Sequence, residues 1–103
     1  MLRRYELALA ILLTSGATAC AADRDARLTA LVREDCGSCH GMTLKGGLGA
    51  PLLPKDLEGK DEVSLAAIIL DGVPGTPMPP WRGLLSESDA RWIAEQLKRG
   101  DPY

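Results

Sequence analysis

A chain of 103 residues with a formal charge of −2 at pH 7 has room for one domain, and it lacks the basic excess that phosphate binding leaves in a composition. Nucleic acid is therefore excluded as a partner. Phe is absent and only two Trp and two Tyr are present, so the core that the chain can build from its own side chains is modest.

The N-terminus begins with Arg3 and Arg4, continues with an apolar run from Leu7 to Leu13, and passes into small residues holding Ala17-Thr18-Ala19 and Ala19-Cys20-Ala21. That order predicts a secretory signal peptide over residues 1–21 and a folded domain over 22–103. The apolar run has seven residues, against the roughly 20 that a membrane-spanning helix needs, which makes a retained anchor the weaker reading. Cys20 has two readings. Cleavage after Ala21 discards it, whereas a lipoprotein signal would acylate it, although Ala17 stands where such signals usually carry a large aliphatic residue. The first is preferred, and a periplasmic location follows, with membrane attachment only if Cys20 is lipidated. Residues 22–103 hold ten Lys or Arg against thirteen Asp or Glu, a formal charge of −3.

Leu28, Leu31 and Val32 recur at helical spacing and predict a first helix from Asp23 to Asp35, running into Cys36. Gly37 to Lys60 is rich in Gly and Pro and predicts a long irregular segment, of a kind that persists in a compact domain when it has a task such as wrapping a cofactor. Asp61 to Asp71 predicts a second helix, with Leu65, Ile68 and Ile69 on one side and Gly72 supplying a left-handed residue at its end. Val73 to Trp81 carries Pro74, Pro77, Pro79 and Pro80 around Met78, which excludes helix and interior strand. The last helix starts at Ser86, in capping-box spacing with Asp89. It presents Ala90, Ile93, Ala94 and Leu97 on one face, and ends at Gly100 with Pro102 beyond. No strand pattern is present.

Cys36-Gly37-Ser38-Cys39-His40 reads C-x-x-C-H, the attachment signature of c-type haem. Two thiols three positions apart on a helical turn reach the two vinyl groups, and the adjacent imidazole comes under the iron. Two other readings compete. A closed zinc site lacks a fourth ligand, because after Cys20 the chain offers no other Cys or His. A thioredoxin-like pair lacks the strands it needs. His40 is the single histidine, so a bis-histidine haem within the chain is impossible and methionine is the remaining soft candidate for the second axial ligand. Met42 is tethered too close to His40, which leaves Met78 in its cage of prolines. Iron with both axial positions filled by protein has no open site for a small-molecule substrate, so one-electron transfer is the expected chemistry and catalysis is not. A peroxidase or gas sensor would require Met78 to dissociate. The apolar shell expected around the cofactor is Leu44, Leu48, Leu52, Leu53, Leu57, Leu65, Ile68, Ile69, Leu84 and Leu85.

With C-x-x-C-H near the N-terminus, a Met-Pro segment about 40 residues later and a terminal amphipathic helix, the chain resembles the class I cytochromes c. The resemblance implies an all-α fold of three main helices and long loops wrapped around one covalent haem c, with Cys36, Cys39, His40, Met78 and Pro51 binding the cofactor and His40 and Met78 on the metal. Pro51 enters through Gly49-Ala50-Pro51-Leu52, similar to the family's Gly-Pro-x-Leu element, whose Pro carbonyl holds the ligating imidazole. The family's aromatic near the end of the last helix is replaced by Gln96. Trp92, one turn earlier, either fills that place against the first helix or is interfacial without cofactor contact. The runs Asp35 to Gly49 and Ala67 to Trp81 are similar to the NirC-type cytochromes of denitrifying bacteria. That implies a monomeric carrier with redox-protein partners. It would donate to a haem-c/haem-d nitrite reductase or, alternatively, serve maturation of that reductase's d-type haem. Lys45, Lys55 and Arg82 are candidate rim charges for docking.

Overall fold

The computed structural model describes residues 16–100, and every regular element among them is helical. The expectations resting on Arg3, Arg4 and Leu7 to Leu13, and on Pro102, lie outside the described residues. Helix α1 spans Gly16–Leu31, passes through one π turn at Val32–Cys36, and continues as α2, Gly37–His40. The chain is already helical at Gly16, seven residues before the predicted start, because Ala17, Ala19, Ala21 and Ala22 favour the helix. The expected cleavage position after Ala21 thus falls inside α1. At the π turn the Gly37 N–H donates to the carbonyl of Val32, five residues back.

Helix α3, Glu62–Asp71, begins where the Asp61 carboxylate accepts the Ser64 N–H at 2.8 Å and the Ser64 hydroxyl at 2.9 Å. Helix α4, Glu87–Arg99, opens on the expected capping box: Ser86 Oγ accepts the Asp89 N–H at 3.0 Å, and the Asp89 carboxylate accepts the Ser86 N–H at 3.1 Å. Its far end closes at Gly100, whose left-handed backbone turns its N–H back to Gln96 and Leu97. Gly72 after α3 differs from expectation. Its φ of 66° is positive, but with ψ at −173° the backbone extends away and does not curl into a left-handed cap.

The Ser64 hydrogen bonds, backbone first and hydroxyl second, hold the Asp61 carboxyl below the usual carboxylate range. A group depressed in the folded state adds stability above its unfolded pKa and loses it as pH falls through the folded value. Asp61→Asn should therefore melt below the wild type at neutral pH, and the gap should close as pH drops through the carboxylate range. Thermal melts of both proteins across that range check it.

Among the described residues, Leu28 of α1, Val32 of the π turn and Ile93 of α4 are the largest fully buried side chains. They meet Ala66 and Leu70 of α3, while Ala90 and Ala94 give α4 a shallow face on which its neighbours approach closely. Two polar contacts tie α1 to α4. Arg27 reaches the Asp89 carboxylate at 3.7 Å, and the Arg24 guanidinium lies 6.0 Å from the Trp92 ring centroid. Lys98 in the last turn of α4 donates to the carbonyl of Lys60.

Between α2 and α3 the chain is irregular apart from a 3₁₀ turn at Pro54–Asp56. It is held by its own amides: Gly46 N–H caps the His40 carbonyl, and Gly49 N–H caps that of Cys39, both at 2.8 Å. Leu44 adopts a left-handed φ of 59° and is 5% exposed. A left-handed residue costs about 1–2 kcal/mol, and burying a leucine recovers about 1.5–3 kcal/mol. The burial offsets the strain, which is why a leucine is tolerated there.

Candidate functional site

The α1–α2 helix ends in the C-x-x-C-H segment, so Cys36, Cys39 and His40 leave one helical turn together and line a cavity of about 570 Å³. Met78 lines the same cavity, from the loop that follows α3. The rest of the wall is almost wholly apolar and comes from the Gly-rich loop (Leu48, Leu52, Leu57), from α3 (Leu65, Ile68, Ile69) and from Val73, Trp81 and Leu97. The volume and the polarity suit a large apolar cofactor, with sulfur and imidazole as its few polar contacts. Ile68 is 44% and Val73 40% exposed, an arrangement that a flat apolar group seated against them would relieve.

Among the described residues the His40 ring has one hydrogen-bond partner. Its Nδ1 lies 2.7 Å from the carbonyl of Ala50, and since a carbonyl only accepts, Nδ1 carries the proton and the Nε2 lone pair is left free. Pro51 was expected to supply this carbonyl. The acceptor is Ala50 instead, because the residue inserted between Gly49 and Pro51 occupies the position that the proline holds in the family's element, and Pro51 is not on the cavity wall. The Pro51 ring packs toward Gly46.

Gly49 permits the approach. A Cβ there would sit 2.8 Å from His40 Nδ1 and Cε1, so the loop can deliver Ala50 to the ring only without a side chain at 49. Gly49→Ala should keep both thioethers but lower the stability of the holoprotein by about 1–3 kcal/mol, the usual cost of overpacking. A denaturant titration followed at the haem absorption checks this, and an unchanged midpoint would mean that the ring yields freely.

Cys36 and Cys39 are both half-buried. Burial, and after it the Asp35 carboxylate, push a free Cys36 thiol up to about 11. A free thiol so placed is protonated at neutral pH and a poor disulfide-exchange nucleophile, which weighs against the thiol-redox reading. Among the described residues no three His, Cys, Asp or Glu gather closely enough to hold a metal ion.

The loop bearing Met78 is closed at both ends. The Val73 N–H donates to the Met78 carbonyl at 3.2 Å, while the Trp81 and Arg82 N–H groups return to the last carbonyls of α3, at Ile69 and Leu70. Gly72 lies directly beneath it, for a Cβ at this positive-φ residue would come within 2.7 Å of the Met78 oxygen. Met42 is exposed and absent from the cavity wall.

Several expected shell residues are placed elsewhere. Leu44 and Leu85 are buried in the helical core, Leu53 packs against that core, and Leu84 is exposed. Leu65, Ile68 and Ile69 share a side of α3 and line the cavity, as expected of the shell, while Ala66 and Leu70 meet the core. Trp92 lies against α1 and is absent from the cavity wall, whereas Trp81, to which no role had been given, lines it. Arg82 is engaged by Asp71 at 2.7 Å and Glu87 at 3.8 Å, so it is not a free docking charge.

The family model described as cytochrome c oxidase, cbb3-type, subunit III matches residues 23–96. Cytochrome c55X of Paracoccus denitrificans is 54% identical over 95 residues, covering 88% of this chain and 91% of that protein. Cytochrome c55X of Pseudomonas aeruginosa is 55% identical over 80 residues, 78% of this chain and 67% of that one. Among solved structures, the c-type cytochrome NirC superposes with a TM-score of 0.76 at 54% identity, over 78% of this chain and 94% of that one. Dihydro-heme d1 dehydrogenase of Pseudomonas aeruginosa is 35% identical over 98% of this chain, which spans only 20% of that protein.

Proposed function

We propose, for a chain that belongs to the c-type cytochromes and carries one covalently bound haem c, that it works as a periplasmic one-electron carrier donating to a haem-c/haem-d nitrite reductase. The observation that carries the reading is the gathering of Cys36, Cys39, His40 and Met78 around one apolar cavity. A haem held here would supply an iron centre able to take up and give back one electron. Cys36 and Cys39 would hold it through thioether links. His40 would bind the iron through Nε2, its ring kept in the matching tautomer and orientation by the Ala50 carbonyl. The Met78 thioether would be the second protein ligand, and a methionine ligand would favour the reduced state. Leu52, Leu65, Ile68 and Ile69 keep water from the site and disfavour the extra positive charge of the oxidised one.

Stopped-flow mixing of the reduced protein with purified nitrite reductase tests the partner. Rapid, saturable oxidation at the reductase's haem is expected, and no reaction beyond that of an unrelated cytochrome would overturn it. A second reading is an accessory role in maturation of the d-type haem. It is supported by the likeness to part of a protein named dihydro-heme d1 dehydrogenase. Faster electron exchange with that dehydrogenase or with immature reductase than with the mature enzyme would favour it.

Export is proposed with cleavage after Ala21 and release in soluble form. No helix among the described residues is long and apolar enough to cross a membrane. The intact mass of protein from its native host should correspond to a chain starting at Ala22 plus one haem. Diacylglycerol on Cys20 would instead place the carrier on a membrane surface.

A further inference from the structure

On the reading that Met78 is an axial ligand, we propose that Thr76 is the residue that positions it, its hydroxyl latching the loop so that the thioether stays on the iron and outside ligands are kept off. Pro77, Pro79 and Pro80 have no N–H, so between Thr76 and Trp81 the only backbone donor is that of Met78 itself. That donor goes to Thr76 Oγ1 at 3.3 Å. The same oxygen donates its proton to the Val73 carbonyl at 2.7 Å, and the Thr76 N–H reaches that carbonyl at 3.1 Å. One hydroxyl therefore joins the start of the loop to the amide of Met78, while the Val73 N–H holds the Met78 carbonyl from the other side.

The prolines stiffen the segment but cannot fasten it, for they add no hydrogen bond. The hydroxyl does the fastening, and among the described residues no other side chain hydrogen-bonds the Met78 amide. Thr76 is exposed, so changing it leaves the helical core untouched. An external ligand can bind the ferric protein only in molecules whose Met78 has let go, so its apparent affinity measures the fraction of open loop.

The test is titration of the ferric holoprotein with imidazole, for wild type, Thr76→Val, Thr76→Ser and Met78→Ala, with the near-infrared Met-to-iron band followed in each. Thr76→Val keeps the shape and removes both hydroxyl contacts. It should tighten imidazole binding roughly five- to tenfold, which corresponds to about one net hydrogen bond. Thr76→Ser keeps the contacts and should match the wild type. Thr76→Val binding imidazole no more tightly than wild type would overturn the assignment, and so would Thr76→Ser tightening it as much as Val does, since packing of the methyl group would then be responsible. Failure of the underlying reading looks different: Met78→Ala would bind imidazole no better than wild type, and the wild type would lack the near-infrared band.

Discussion

Met78→Ala keeps its covalent haem but loses low-spin character, and its reduction potential falls by on the order of 100 mV within the roughly 0.8 V range that axial ligation spans. The direction follows from what a thioether does. Sulfur stabilises ferrous iron over ferric, and water or a vacant position in its place removes that preference. Alanine also opens a route for water past Ile68 and Val73, which line the same cavity and are partly exposed. Admitting water to an apolar site favours the more highly charged oxidised state, so both effects act together. An absorption spectrum and a redox titration check the result. An unchanged potential with an intact Met-to-iron band would sink the assignment of Met78.

The second large effect is on folding. Cys36→Ala with Cys39→Ala, which cannot hold the cofactor covalently, should give an apoprotein with little stable helix and no cooperative thermal transition. Among the described residues only Leu28, Val32 and Ile93 are large side chains with essentially no exposure. The cavity at about 570 Å³ is out of proportion to that core. Truncating a single buried leucine already costs about 2.7–5 kcal/mol, and a whole domain is stable by only about 5–15 kcal/mol. Without the haem, Leu52, Leu65, Ile68 and Ile69 lose their apolar partner, and water or local collapse has to take its place. Circular dichroism with a thermal ramp is the measurement. A sharp transition in the double variant would show that the helices hold one another without the cofactor.

The candidate cofactor residues were nameable because their chemistry is local. C-x-x-C-H requires only that three side chains share a helical turn, and the single His and the proline-bracketed Met left few choices for the axial positions. The three main helices were legible for a similar reason: Asp61 and the Ser86–Asp89 pair are side chains that satisfy backbone groups within their own turn. Chain segments distant in sequence had to meet before the rest could be decided. The carbonyl that holds His40 belongs to Ala50 and not Pro51, since a one-residue insertion shifts which peptide group a loop presents, and only the closed loop shows the shift. The cavity side of α3 was legible, but that Leu44 and Leu85 go to the helical core instead of the cavity is likewise tertiary, because leucine serves either apolar environment equally well. Arg82 passes for a free surface charge until Asp71 and Glu87 are found beside it. By itself the sequence determined the haem-attachment signature, the three main helices and the residues proposed as iron ligands. The tertiary structure alone decided which backbone oxygen orients the imidazole, which of the expected shell residues go to the core instead of the cavity and which charges are already paired, for each depends on contacts between segments whose spacing along the chain carries no record of their meeting.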